Sequence, residues 1–219
     1  MEQKQKQTKS KERVRAHGEV FTAEREVKAM CDLVKNETER IDSRFLEPAC
    51  GDGNFLAEIL TRKLTVVKRK YGRSHLDYEK YAVLAASSIY GVDILLDNVL
   101  ACRKRMFAIW DKEYKMVCKK DCNDQTCEAV KFIFSRNIVC GNALTLKCVD
   151  ENANDTNEPI VFSEWAFVTA SQLQRSDYTF AELLEQNNEQ QPSLIHHVSE
   201  EGTFLKKYIT HYRRVQENG

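Results

Sequence analysis

The residues that could do chemistry gather at three short turns. The first is Glu47-Pro48-Ala49-Cys50-Gly51-Asp52-Gly53-Asn54-Phe55, directly after the apolar pair Phe45-Leu46. Its two glycines let the backbone turn tightly and approach a ligand with no Cβ in the way. The second is Asp93, closing Ser88-Ile89-Tyr90-Gly91-Val92, a carboxylate that can accept from both hydroxyls of a ribose. The third is Asn142, after Ile138-Val139-Cys140-Gly141, whose amide suits an adenine edge. Ligands of open parallel sheets sit outside the carboxyl ends of the strands. A glycine turn, an acid and an amide at successive strand ends therefore describe an adenosine pocket. A dinucleotide site would require a third glycine and an acid about 20 residues on. Here Leu56 stands at the third glycine's place, and Asp93 lies 40 positions beyond Gly53. No P-loop lysine with its serine or threonine accompanies the glycines. Glu47 and Asp52 would repel a pyrophosphate, but they suit the cationic amino and sulfonium groups of S-adenosylmethionine (AdoMet).

Those turns need strands to carry them and helices to space them. Val27, Met30, Cys31 and Val34 recur at helical spacing within residues 24–35. A short strand at 44–47 breaks at Pro48. Phe55, Leu56, Ile59, Leu60 and Leu64 predict a helix from about Gly53 into Lys68-Arg69-Lys70. A helix at 78–87, a strand at 88–93, a helix marked by Leu95, Val99, Cys102 and Met106, a helix at 128–134 and a strand at 137–140 follow. This alternation predicts an α/β fold with parallel strands joined by right-handed crossovers. From Lys147 the texture changes. Residues 150–158 read as a polar loop, 160–168 as a strand, and Thr179-x-x-Glu182 as a capping box before Leu183-Leu184. Tyr208 and Tyr212 stand at helical spacing. The expected organisation is a basic tail over 1–15, a ligand-binding domain over 16–148, and an appendage of one strand plus helices over 149–219. The tail has six basic residues against two acidic ones, and its first large apolar residue is Val14. Such a stretch is expected to be disordered.

Taken in order, these segments resemble a known family. Residues 47–55 look like the AdoMet-binding signature of amino-group DNA methyltransferases, and more closely that of the bacterial adenine-modifying subunits of restriction-modification systems. His17-Gly18-Glu19-Val20-Phe21-Thr22 resembles the segment those enzymes fold over the methionine end of the cofactor. Ile89-Tyr90-Gly91-Val92-Asp93-Ile94 is similar to their ribose strand, and Ile138-Val139-Cys140-Gly141-Asn142-Ala143-Leu144 to their adenine-contacting turn. The resemblance covers roughly residues 16 to 146. It implies a class I methyltransferase (Rossmann-like) parallel sheet with helices on both faces, and AdoMet as cofactor. It further implies that Thr22 touches the methionine carboxylate, and that Glu47, Ala49, Gly51 and Gly53 line the methionine and its turn. Asp93 would bind the ribose, with Ile94 and Phe55 flanking the cofactor. Asn142, followed by Ala143, would meet the adenine amino group, where the family more often has aspartate.

The same comparison exposes what is missing. The family holds its flipped base with Asn, Asp or Ser followed by Pro-Pro and an aromatic residue. This chain has three prolines, Pro48, Pro159 and Pro192, none adjacent to another. Ser163-Glu164-Trp165 lacks the proline that would set the carbonyl geometry, and Trp165 is read as packing. No catalytic residue is therefore assigned. The family sheet has seven strands with the first beside the fourth, whereas residues 44–140 supply three. The edge at Phe45-Leu46 must then be covered by the strand at 160–168 or by another polypeptide. The expected protein is the AdoMet-binding part of a DNA adenine-amino methyltransferase, truncated or completed by a second chain, and it reaches DNA only through the complete enzyme. A non-catalytic AdoMet-binding or interaction module, and a methyltransferase for a non-DNA substrate, remain open readings.

Composition bounds these readings. Lysine plus arginine and aspartate plus glutamate number 33 each, which argues against a chain that grips nucleic acid by charge alone. No apolar run long enough to span a bilayer occurs, and the start is Met-Glu-Gln-Lys rather than an apolar leader. A soluble, cytoplasmic protein with no membrane partner is expected. Its eight cysteines would then be reduced. Cys118, Cys122 and Cys127, at intervals of four and five, depart from the usual pairing of zinc knuckles, so no metal is assigned.

Overall fold

The computed structural model describes Arg15, residues 22–188 and residues 205–218. The expected disordered tail, apart from Arg15, and the segment at 17–21 lie outside the described residues.

Helix α1 (Glu24–Leu33) buries Val27 and Cys31, and the single turn α2 (Lys35–Thr38) leads towards strand β1 (Phe45–Glu47). The approach to β1 is held from below by a residue that breaks the apolar pattern of helix α3 (Asn54–Tyr71). Lys63 is fully buried. Its Nζ donates to the carbonyls of Ile41 at 3.1 Å and Ser43, and to the Ser88 hydroxyl at 2.7 Å. Burial pushes its pKa down to about 7.

Helices α3 and α4 (His75–Ser87) carry the chain to β2 (Ile89–Asp93). Helices α5 (Leu96–Cys118) and α6 (Asp124–Asn137) carry it to β3 (Ile138–Asn142). The pairs β1–β2 and β2–β3 are parallel, with Phe45 opposite Ile89 and Asp93 opposite Cys140. These are the crossovers the alternation predicts. Two helices begin earlier than their apolar periodicity because caps set their starts. Ser74 Oγ accepts from the Asp77 N–H at 3.3 Å, and Asn123 Oδ1 from the Gln125 N–H at 2.9 Å.

All five residues of β2 are buried, yet its two faces meet different partners. Ile89 joins the core of α3 to α6 with Leu56, Leu60, Trp110 and Phe134, whereas Tyr90 and Val92 pack on Ile160, Phe162 and Phe180. Helices on both faces were expected. The second face carries the start of the C-terminal strands together with helix α7 (Phe180–Asn188), through Phe180 and Leu183. Helices α3 to α6 share one core with Ile89 and so lie on the same side of the sheet.

After β3 the chain doubles back. Strands β4 (Lys147–Val149) and β5 (Asp155–Pro159) add antiparallel, giving the sheet order β1-β2-β3-β4-β5. The result is a mixed α/β fold compatible with a Rossmann-like arrangement. Residues 150–158 were expected as loop, yet 155–158 lie on β5. Only Thr156 among them is half-buried, so no alternation marks the strand, and an edge position tolerates Pro159. A second, antiparallel sheet has the order β6-β7-β8, from Val161–Phe167, Gln172–Thr179 and Lys206–His211.

The single strand expected after residue 149 is thus corrected to four among the described residues, the expected one (β6) plus three more, and Tyr208 lies on β8 rather than on a helix. The polar composition of β7 hides it from a hydrophobic pattern. Its Arg175 and Asp177 are buried together in a two-fold ion pair of 2.8 and 2.7 Å, and Ser163 Oγ donates to Asp177 at 2.6 Å. The Arg175 guanidinium lies over the rings of Phe132 and Tyr208. The capping box forms, with the Thr179 N–H on Glu182 at 2.7 Å and the Glu182 N–H on Thr179 Oγ1 at 3.2 Å.

Strand β6 pairs with β7, not with β1. Covering of the β1 edge by residues 160–168 is therefore overturned, and among the described residues β1 pairs with β2 alone. No helix among the described residues is long and apolar enough to cross a membrane.

Lys63 makes stability pH-dependent. Its folded pKa lies below the unfolded value of 10.5, so between pH 7 and 10.5 the unfolded state binds more protons and stability rises with pH. Wild type should gain on Lys63→Met across that window by at most about 1.4 kcal/mol per pH unit. Urea unfolding of both chains at pH 7, 8 and 9 measures it; a difference flat with pH would show that Lys63 stays charged in the fold.

Candidate functional site

The turn after β1 is built on backbone that only glycine adopts comfortably. Gly51 and Gly53 have φ of 53° and 91°. A Cβ on Gly53 would stand 2.6 Å from Cys102 Sγ and 3.1 Å from Met106 Cε, both on α5. The turn is pinned to β2 by the Cys50 N–H on the Val92 carbonyl at 2.9 Å, and it closes on itself through Gly53 N–H to Cys50 O at 2.8 Å. Gly53 then caps α3.

Asp93 meets this turn. Its Oδ2 accepts from the Gly51 N–H at 2.9 Å, and its Oδ1 from the Leu95 N–H at 2.9 Å and Asn98 Nδ2 at 3.2 Å. The carboxylate therefore braces the glycine turn against the start of α5. Three of its roughly four lone-pair positions are filled. One further donor would find an open acceptor there; a second would have to displace a bond already made.

The other expected residues divide into groups. Thr22 is half-buried and drawn to the turn, its carbonyl accepting from Asn54 Nδ2 at 3.3 Å. Ala49 is exposed at the crest of the turn. Ile94 follows Asp93, its carbonyl in contact with Cys140 Sγ at 3.7 Å, which ties the ends of β2 and β3 together. Asn142 and Ala143 are half-buried where β3 ends. The Asn142 amide is engaged, donating to Asp155 at 3.0 Å and accepting from the Leu144 N–H at 3.0 Å, so reading an adenine would require releasing Asp155. Glu47 and Phe55 face the other way. They line a cavity of about 190 Å³ on the open side of β1 with Met30, Val34, Leu46 and Ile59. Burial raises the Glu47 pKa, opposed by the Ala49 N–H. Ligand sites usually enclose about 300–1,000 Å³, so this cavity is a partial one.

Ser163, Glu164 and Trp165 have structural roles. Ser163 is buried on Asp177, Glu164 pairs with Arg44, and Trp165 Nε1 donates to Asn137 Oδ1 at 2.9 Å. The cysteines at 118, 122 and 127 contact the His75 carbonyl, the Tyr114 carbonyl and Asp111 respectively.

Two residues escaped the reading of the sequence. Asn98 and Arg105 lie seven positions apart on α5, one face of the helix. Asn98 holds Asp93, while Arg105 reaches Asn54 at 2.7 Å and Asp52 at 3.3 Å. Their signal was two polar groups flanking Cys102 on the face that meets the glycine turn. Comparisons with family models, with curated proteins and with solved structures found no match.

The glycine requirement is testable. Gly53→Ala combines left-handed strain with a clash and should cost about 2–4 kcal/mol. Adding Cys102→Ala should return part of that loss by removing the clash while leaving the strain. Full recovery in the double variant, read by urea unfolding, would show that φ at residue 53 is unstrained.

Proposed function

We propose that the chain is the AdoMet-binding portion of a DNA adenine-amino methyltransferase of the restriction-modification kind, and that catalysis needs a second chain. The observation that carries the reading is the junction of the Gly51–Gly53 turn with Asp93, at the carboxyl ends of adjacent parallel strands, with Asn142 ending the third. A nucleoside cofactor binds in such a place. The acid at 52 stands in the turn, where its charge suits a cationic amino-acid end, and the motifs stand in the order the resemblance requires.

The second chain is supported by what β1 lacks. Its outer edge has no strand among the described residues. Around that edge Met30, Val34 and Leu46 are 53, 48 and 40% exposed. An unpaired edge with an apolar rim is a template for another strand, and one laid there would also wall in Glu47 and Phe55. The basic residues Lys68, Arg69 and Lys70 end α3, which is 18 residues long. They therefore lie about 25 Å from the turn, too far to guide DNA to it. DNA contact is accordingly assigned to the partner. Without the Pro-Pro turn, an extruded base has no acceptor for its amino group.

A non-catalytic AdoMet-binding module is the second reading, favoured by the three bonds already made to Asp93.

Calorimetry with AdoMet should detect binding below millimolar ligand. Absence of heat from well-folded protein would sink the cofactor assignment. Asp93→Ala should lose binding and, by stranding the Gly51 and Leu95 N–H groups, cost about 1–3 kcal/mol of stability.

Tritium transfer from labelled AdoMet to mixed-sequence DNA should be undetectable with this chain alone. Loss of base positioning can remove about 7–11 kcal/mol of barrier lowering. Incorporation by the isolated chain would overturn the need for a second one.

A further inference from the structure

The geometry points to Arg105 and Asn54 as positioning residues for the amino-acid end of the cofactor, an assignment that rests on the AdoMet reading above. Arg105 sits on α5, one turn beyond the Cys102 against which the glycine turn packs. Its Nη1 donates to Asn54 Oδ1 at 2.7 Å and to Asp52 Oδ1 at 3.3 Å. A guanidinium only donates, so the Asn54 oxygen must face it. The Asn54 Nδ2 then faces outward and donates to the Thr22 carbonyl at 3.3 Å. The amide orientation is thus set from one side, and its second bond is aimed by the first.

The relay connects three pieces that share no secondary structure: helix α5, the first residue of α3, and the segment entering α1. The Asp93 side of the turn already has its own brace through Gly51. Arg105 and Asn54 act on the opposite flank, where Thr22 lies. Thr22 and Ala23 precede α1, where the Ala23 carbonyl accepts from the Glu26 and Val27 N–H groups at 2.9 and 3.0 Å. The Asn54 bond is what fastens Thr22 to the turn itself. By the resemblance, Thr22 holds the methionine carboxylate.

Arg105 also acts by charge. Asp52 stands in the turn, and a bare carboxylate there would repel the carboxylate of an approaching amino acid. The guanidinium, with Asp52 at 3.3 Å, offsets it. Both effects fall on the amino-acid end of the ligand. Neither concerns the nucleoside end, which lies on the Asp93 and Asn142 side.

Two probe ligands separate the ends. S-adenosylhomocysteine carries adenine, ribose, sulfur and amino acid; 5′-methylthioadenosine carries the first three without the amino acid. Calorimetry on the full chain should show Arg105→Met and Asn54→Ala binding S-adenosylhomocysteine about tenfold more weakly than wild type, as expected from losing one hydrogen-bonded contact. Both variants should bind 5′-methylthioadenosine within about twofold of wild type. Arg105→Lys, which keeps the charge but not the two-acceptor geometry, should recover part of the loss. Equal weakening of both ligands would mean that Arg105 only stabilises the turn, and would overturn the assignment; so would no weakening of either. Asn54→Ala provides the same test should Arg105→Met fail to fold. If wild type binds neither ligand, the AdoMet reading falls and this inference falls with it.

Discussion

The carboxylate of Asp93 is the point on which the candidate site depends. A turn with two residues at positive φ has few backbone bonds of its own, and its N–H groups must find acceptors or water. Asp93 accepts from Gly51 on one side and from Leu95 and Asn98 on the other. In one stroke it anchors the glycine turn to β2 and starts α5 in the correct direction. Because α5 then supplies Cys102 and Met106 beneath Gly53, and Arg105 beside Asn54, the floor and one wall of the site follow from that junction. On the proposed reading, a ribose that placed both hydroxyls on Asp93 would compete with one of the bonds that build the site, and a ligand that satisfied Asp93 less well than Gly51 does would loosen the turn.

A different constraint governs the other side of β1. A three-residue strand with one paired edge contributes little by itself, and β1 is kept in place by what lies around it. Lys63 fixes the incoming loop through the Ile41 and Ser43 carbonyls, and Phe45 packs towards the helical core. The C-terminal sheet does not compensate. It is fastened elsewhere, through Asp177 to Arg136 of α6 at 3.7 Å and through Glu79 of α4, which accepts from Tyr114, from Tyr212 at 2.5 Å and from Arg213 at 2.6 Å. These buried carboxylates bind the last strands and the final turn to α4, α5 and α6. The chain thus spends its second sheet on closing the face of β2 that carries Tyr90 and Val92, and the outer edge of β1 stays open among the described residues.

The parallel half of the fold was legible because its information is local. Leu56, Leu60 and Leu64, or Val99, Cys102 and Met106, repeat at a helical period, and the strands between them are short apolar runs ended by glycine and acid. Helix starts at Ser74 and Asn123 were readable only as caps, which is why they were placed late. The antiparallel half was not legible, and for two distinct reasons. Strand β5 is exposed along most of its length and has no inner face to mark. Strand β7 has an inner face, but Arg175 and Asp177 occupy it, so the pattern that ordinarily reports burial reports polarity instead. In the site, Gly51, Gly53 and Asp93 were found from their types, since backbone strain and charge are properties of single residues. Asn98 and Arg105 were not, because their role depends on which face of α5 turns towards the glycines.

This difference bears on how the two ends of the pocket are built. On the proposed reading the nucleoside end would use residues at strand termini, where the parallel register of β1, β2 and β3 sets the spacing and leaves little room for adjustment. The amino-acid end would use side chains reaching across from α5, through Asn54, to a segment with no register of its own. A rigid half and an adjustable half suit a cofactor whose adenosine must be recognised while its sulfonium is turned towards a reacting group. Asn142 fits the same division. Its amide is paired with Asp155 on the β4–β5 hairpin, so the hairpin, which has no counterpart in the motifs of the parallel half, covers the group that would read the adenine. Opening that contact would free the amide while leaving the bonds of Asp93 to Gly51, Leu95 and Asn98, none of which the hairpin makes.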